Sequence, residues 1–203
     1  PPLLARIDGP PPVLLAIGAR EVLRMPQIAV VGSRRATPAA REIAHGLAGE
    51  LVAAGLTVTS GLAAGVDRAA HEGALAGGGL TLAVFGCGVD VIYPRNHGGL
   101  AARIREQGLL VSEFPLGAPP LAGHFPRRNR IISGLALGTV VVEAALTSGS
   151  LVTARHALDQ GREVFAVPGM VRNPLARGCH ALLRDGATLI EQGADILNAL
   201  PGF

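Results

Sequence analysis

The sequence has 203 residues, of which 49% are apolar and 16% charged, with 28 glycines and 15 prolines. These turn formers are spread between apolar runs, which excludes a disordered chain and fits one large α/β unit. The net charge of +3 excludes a broad polybasic surface, so any anion site is local.

All 18 basic residues are arginine. Genome composition produces such a bias, and guanidinium groups also suit bidentate phosphate contacts and stacking on bases. Cys87 and Cys179 form no C-x-x-C pattern, and the longest apolar run is too short to span a bilayer; no signal peptide is expected. A reduced, cytoplasmic protein with no metal and no membrane insertion is expected. The chain opens on Pro1-Pro2 without an initiator Met, as an excised domain would.

Residues 1–26, with the run Gly9-Pro10-Pro11-Pro12, read as an extended lead-in packed on the core, and 27–203 as the core domain. From Gln27 a unit repeats: a short β-branched apolar run ends in Gly or Ser and is followed by an Ala/Leu-rich helical pattern. The first unit is a strand at Ile28 to Val31, the turn Gly32-Ser33-Arg34-Arg35, and a helix from Thr37 to Ala54. Thr37 is its N-cap, Pro38 its first residue and Gly55 its stop. A strand at Thr57 to Thr59, the turn Ser60-Gly61 and a helix from Val66 to Ala76 follow. Then come a strand at Leu80 to Phe85 running into Gly86-Cys87-Gly88, a helix around Leu100 to Glu106, and a strand at Leu109 to Ser112. A Pro/Gly-rich loop leads to a helix beginning near Pro126. The later units are Thr139 to Val142 with Ser148-Gly149-Ser150 and a helix to Gln160, then Val164 to Val167 and a less regular tail. That tail holds a helical pattern at Cys179 to Leu183 and a strand pattern at Thr188 to Ile190. The alternation predicts a doubly wound, mostly parallel sheet with crossover helices.

In such sheets ligands bind beyond the carboxyl ends of the strands, where turn glycines and helix N-termini meet an anion. Four turns fall there: Gly32-Ser33-Arg34-Arg35, Ser60-Gly61, Gly86-Cys87-Gly88 and Ser148-Gly149-Ser150. None matches a dinucleotide fingerprint or a phosphate loop, so no cofactor is expected. The segment Phe125-Pro126-Arg127-Arg128-Asn129-Arg130 puts three arginines and an asparagine after an aromatic ring at a helix start. A ring can stack a splayed base while arginines hold phosphates, and cations at the positive end of a helix dipole call for an answering anion. The plainer alternative is a solvated helix face with Phe125 as a core anchor. Glu113 and Glu143 follow strand ends and are expected to pair with arginines rather than act as acid and base. Cys87 reads as a buried filler, His71 and His124 as structural, and Asp67 as a helix N-cap.

In chain order the sequence carries Val30-Val31-Gly32-Ser33-Arg34, Ser60-Gly61-Leu62-Ala63-Ala64-Gly65-Val66-Asp67 with Ala70-His71, and Tyr93-Pro94-Arg95-Asn96. Ser112-Glu113-Phe114-Pro115, the Phe125 to Ile132 segment, Val141-Val142-Glu143-Ala144, Ser148 to Arg155, Gly161 to Gly169 and Asp185-Gly186-Ala187 follow. This collinear set strongly resembles the DprA/Smf family of DNA-processing proteins. The resemblance implies an extended Rossmann-like sheet with helices on both faces. It implies sequence-independent single-stranded DNA binding, homodimerisation, and loading of a RecA-type recombinase in natural transformation. By the same resemblance Gly32, Ser33 and Arg34 grip a phosphate, Phe125 stacks on a base, and Arg127, Arg128, Asn129 and Arg130 line the groove. His180, Leu183, Leu189 and Ile190 would form the dimer contact. Many relatives carry a lysine three residues before the Phe, where this chain has Ala122, and the flanking domains frequent in the family lie outside this chain.

The rival is a phosphoribohydrolase-like enzyme of a related Rossmann-like group, which carries a G-G-x-G-T-x-x-E turn. Here the corresponding Ser148 to Ala154 segment has no glutamate before Glu163, so the acidic catalytic partner is missing and a binding protein rather than an enzyme is expected.

Overall fold

In the computed structural model, which describes residues 1–200, eight strands form one sheet in the order β1-β5-β4-β3-β2-β6-β7-β8. The strands are β1 (Leu15–Gly18), β2 (Gln27–Val31), β3 (Thr57–Ser60), β4 (Thr81–Val84), β5 (Leu109–Ser112), β6 (Gly138–Val141), β7 (Glu163–Ala166) and β8 (Thr188–Leu189). Every pairing is parallel except β1 on β5. Strands β2 to β6 are buried along their whole length, as strands covered on both faces must be, and this gives them continuous apolar and small-residue runs.

The helices are α1 (Pro38–Ala53), α2 (Val66–Ala76), α3 (Gly98–Gln107), α4 (His124–Leu135), α5 (Gly149–Asp159), α6 (Arg177–Arg184) and α7 (Gly193–Ala199). On one face α1, α2 and α7 pack over Ile28, Val30, Val58, Val140 and Phe165. On the other, α4, α5 and α6 cover Ala29, Val31, Val84, Val111 and Ala166. A third cluster joins α3 to Ala83, Phe85 and Leu110. This is the expected doubly wound architecture, with the alternation of each strand dividing its side chains between two layers. Among the described residues no helix is long and apolar enough to cross a membrane.

Local chemistry sets the boundaries. The Thr37 hydroxyl accepts from Ala40 N at 3.1 Å with Pro38 at the first helical position, and α1 ends ahead of Gly55, whose φ is +85°. Several expectations are corrected. The lead-in does more than pack along the core, because it supplies β1, the antiparallel edge of the sheet. Helix α4 starts at His124 rather than Pro126; proline is tolerated there because the first helical amides have no carbonyl partner anyway. The tail is also more regular than expected, since α7 is set by a capping box between Gln192 and Asp195. Positions 201–203 of the expected domain lie outside the described residues.

Candidate nucleic-acid interface

Strand order reverses between β2 and β6, and the crevice beyond their carboxyl ends holds a cleft of about 620 Å³. Its walls are the β2 turn Gly32-Ser33-Arg34-Arg35, the α5 start Ser148-Gly149-Ser150, and Tyr93, Ala122, Phe125, Arg128 and Asn129.

The β2 turn is held from both sides. Ser33 N donates to Glu143 O at 2.6 Å, Val66 N donates to Ser33 O at 3.2 Å, and Ser33 Oγ accepts from Arg35 N at 3.1 Å. Gly65 has a φ of +79°, and a β carbon there would strike Ser33 O, so only glycine lets α2 start against this turn. Arg34 and Arg35 are exposed, and neither forms a salt bridge among the described residues. The Arg34 guanidinium sits 5.2 Å over the Phe125 ring, a cation–π contact, and Phe125 lies 5.4 Å from Tyr93.

The N-termini of α1 and α5 are not equivalent. Thr37 N and Oγ1, at the start of α1, donate to the buried Glu143 carboxylate at 2.9 and 3.0 Å. Asn173 donates to the same carboxylate at 3.2 Å. The expectation that Glu143 pairs with an arginine is therefore corrected: it answers a helix N-terminus instead. At α5, Ser148 and Ser150 face each other with their hydroxyls 2.7 Å apart, and Asn129 Nδ2 donates to Gly149 O at 3.2 Å. This second N-terminus, with no side-chain carboxylate on it among the described residues, opens on the cleft.

The three α4 arginines have three different environments. Arg128 is 3% exposed and donates to Gly61 O at 2.8 Å and to Val84 O. Burial, with Arg34 adding repulsion and Asp67 opposing, brings its pKa to about 10, so it stays charged at neutral pH. Asp67 is buried nearby and accepts from Gly61 N at 3.1 Å and Ala63 N at 3.4 Å. Burial raises its pKa, while Arg128 and the Ala63 and Gly61 amides pull it down. It is not the N-cap of α2, which is Gly65.

Arg130 forms a bidentate pair with Glu113 at 2.7 and 2.8 Å and donates through Nε to Gly9 O in the lead-in. Arg127, 64% exposed, reaches the same carboxylate at 3.3 Å and lies over Phe114. The cations at the head of α4 are thus answered internally, by Glu113 and Asp67. Of the three, only Arg128 lines the cleft.

The other sequence candidates fall as follows. Ser60 Oγ donates to Val30 O at 2.6 Å and Gly61 is buried under Arg128, so that turn braces the floor of the cleft. Cys87 is buried, His71 donates to Thr81, and His124 stacks on Phe114. Ile190 is fully buried in the core and cannot serve as an exposed dimer contact, which corrects that expectation. Leu189 is half exposed, with His180 and Leu183 partly so. Tyr93 is one of several cleft residues, with Ala63, Asp67 and Thr153 among the others, that sequence reasoning quoted as part of a motif without assigning them to the site.

The fold is that of a doubly wound, Rossmann-like protein, with arginine, aromatic rings and a helix N-terminus at its switch point, where proteins of this architecture hold anions. Residues 1–201 match the family model of DNA recombination-mediator protein A, and the chain belongs to that family. Protein Smf of Escherichia coli K12 is 51% identical over 210 residues, covering 98% of this chain and 54% of its own length. This chain therefore spans about half of that relative. DNA processing protein DprA of Streptococcus pneumoniae is 43% identical over 96% of this chain and 68% of its own. A crystal structure of the pneumococcal protein superposes with a TM-score of 0.96 at 41% identity, over 100% of this chain and 71% of that one. DNA processing protein A from Helicobacter pylori, whose structure concerns its single-stranded DNA binding mode, superposes with a TM-score of 0.90. It is 32% identical, over 98% of this chain and 91% of that one. A molybdenum cofactor binding protein from Rippkaea orientalis shares the fold alone, at a TM-score of 0.61 and 18% identity over 86% of this chain and 94% of that one.

Proposed function

We propose that the switch-point cleft binds single-stranded DNA without sequence preference, and that the bound strand passes to a RecA-type recombinase in the cytoplasm during recombination and natural transformation. The observation that carries this reading is Arg34 lying 5.2 Å over Phe125 beside the α5 N-terminus. A phosphate and its neighbouring base can be held at one place there, by groups that read no base edge. The Helicobacter pylori relative, described for its single-stranded DNA binding mode, supports it. Two copies would pair through the half-exposed patch of His180, Leu183 and Leu189. The hydrolase alternative lacks a glutamate in the α5 turn, and Glu143 is committed to Thr37 and Asn173.

Anisotropy of labelled oligothymidylate at several salt concentrations tests the DNA reading. Affinity falls as salt rises, and Arg34→Ala weakens binding by roughly tenfold or more. It also flattens the log–log salt slope by about 0.7, the loss of one phosphate contact on a single strand. Release of base from a nucleoside monophosphate without oligonucleotide binding would overturn the reading.

A further inference from the structure

The chain contains one tyrosine and no tryptophan, and that tyrosine lines the cleft. Phe85, Phe114 and Phe165 are buried, whereas Tyr93 is 42% exposed. Phe125, the other ring at the site, is half-buried and crowded. A β carbon at Gly86 would meet its Cδ1 at 2.7 Å, and the Arg34 guanidinium lies over it. Tyr93 has no cation over it among the described residues. The two ring centroids are 5.4 Å apart and the planes tilt by 37°, so the rings touch each other and no base fits between them. They form a bent platform whose open end is Tyr93.

Resting on the single-strand reading above, we propose that Tyr93 is a second base-stacking residue, carrying the base adjacent to the one on Phe125. Stacking uses the ring face and not the phenol oxygen, so the platform is indifferent to base identity and to the hydroxyl.

Because Tyr93 is the sole tyrosine, its emission reports on this one position without any label. Titration of the whole chain with oligothymidylate should quench that emission along the same isotherm that anisotropy follows. Tyr93→Phe should keep the affinity while abolishing the emission. Tyr93→Ala should weaken binding between about fivefold and a hundredfold, with an unchanged far-ultraviolet spectrum showing that it folds. Binding with undiminished emission, or Tyr93→Ala binding as tightly as wild type, overturns the inference and leaves the DNA reading standing. No binding by anisotropy at low salt overturns the DNA reading itself, and this inference with it.

Discussion

Arg128 and Arg130 stand two positions apart on α4, hence on nearly opposite sides of the helix. One turns inward under the Gly61 turn; the other turns to Glu113 and the lead-in. Nothing local distinguishes them in the sequence, because the partners that decide, Asp67 and Glu113, arrive from distant elements. Arg128→Met leaves Asp67 buried without its cation and is expected to cost about 3–5 kcal/mol in urea unfolding. Adding Asp67→Asn to that variant should recover part of the loss, which separates a charge effect from lost packing. Ala122 is exposed on the rim of the cleft, three residues ahead of Phe125. Ala122→Lys should tighten oligothymidylate binding severalfold and steepen the salt slope by about 0.7, read by the same anisotropy titration.

At the level of elements, β2 to β7 were legible because a strand covered on both faces is made of apolar, β-branched and small residues with few charges, whatever its partners are. Thr37, Pro38 and Gly55 likewise mark α1 from within the chain. Strand β1 was not legible: Leu15-Ala16-Ile17-Gly18 is short, and only its pairing with β5 makes it a strand. The cleft was legible as a set of turns, but the division of its arginines between pocket and salt bridge was not. The meeting of α1 and α2 shows how closely elements approach here. A β carbon on Gly73 would land on the His45 carbonyl oxygen, backbone that cannot swing aside. Alanine favours an isolated helix over glycine by about 1 kcal/mol. Gly73→Ala should nevertheless destabilise the protein by about 1–3 kcal/mol in chemical denaturation, because prising two helices apart outweighs that gain.

For the molecule as a whole, His71 ties stability to pH. Its Nδ1 lies 2.7 Å from Thr81 Oγ1, and that hydroxyl donates to Val58 O, so Nδ1 carries the proton. Burial, with His97 and Arg128 nearby, pushes its pKa from 6.5 down to about 3. Below 6.5 the unfolded chain takes up a proton that the folded chain refuses. This contribution is therefore full above pH 6.5 and lost as pH falls toward about 3. His71→Gln should flatten unfolding free energy against pH across that window by close to one proton. The lead-in carries a different consequence, in the order of synthesis. Leu15 faces Ser112 in the finished sheet, so β1, made before the other seven strands, has to wait for β5. Until then β4 has no neighbour on its outer side, and β1 has no strand to pair with. A nascent chain stalled before Ser112 would hold a half-built sheet with an unclaimed ribbon, a state that invites pairing with another nascent chain and capture by chaperones.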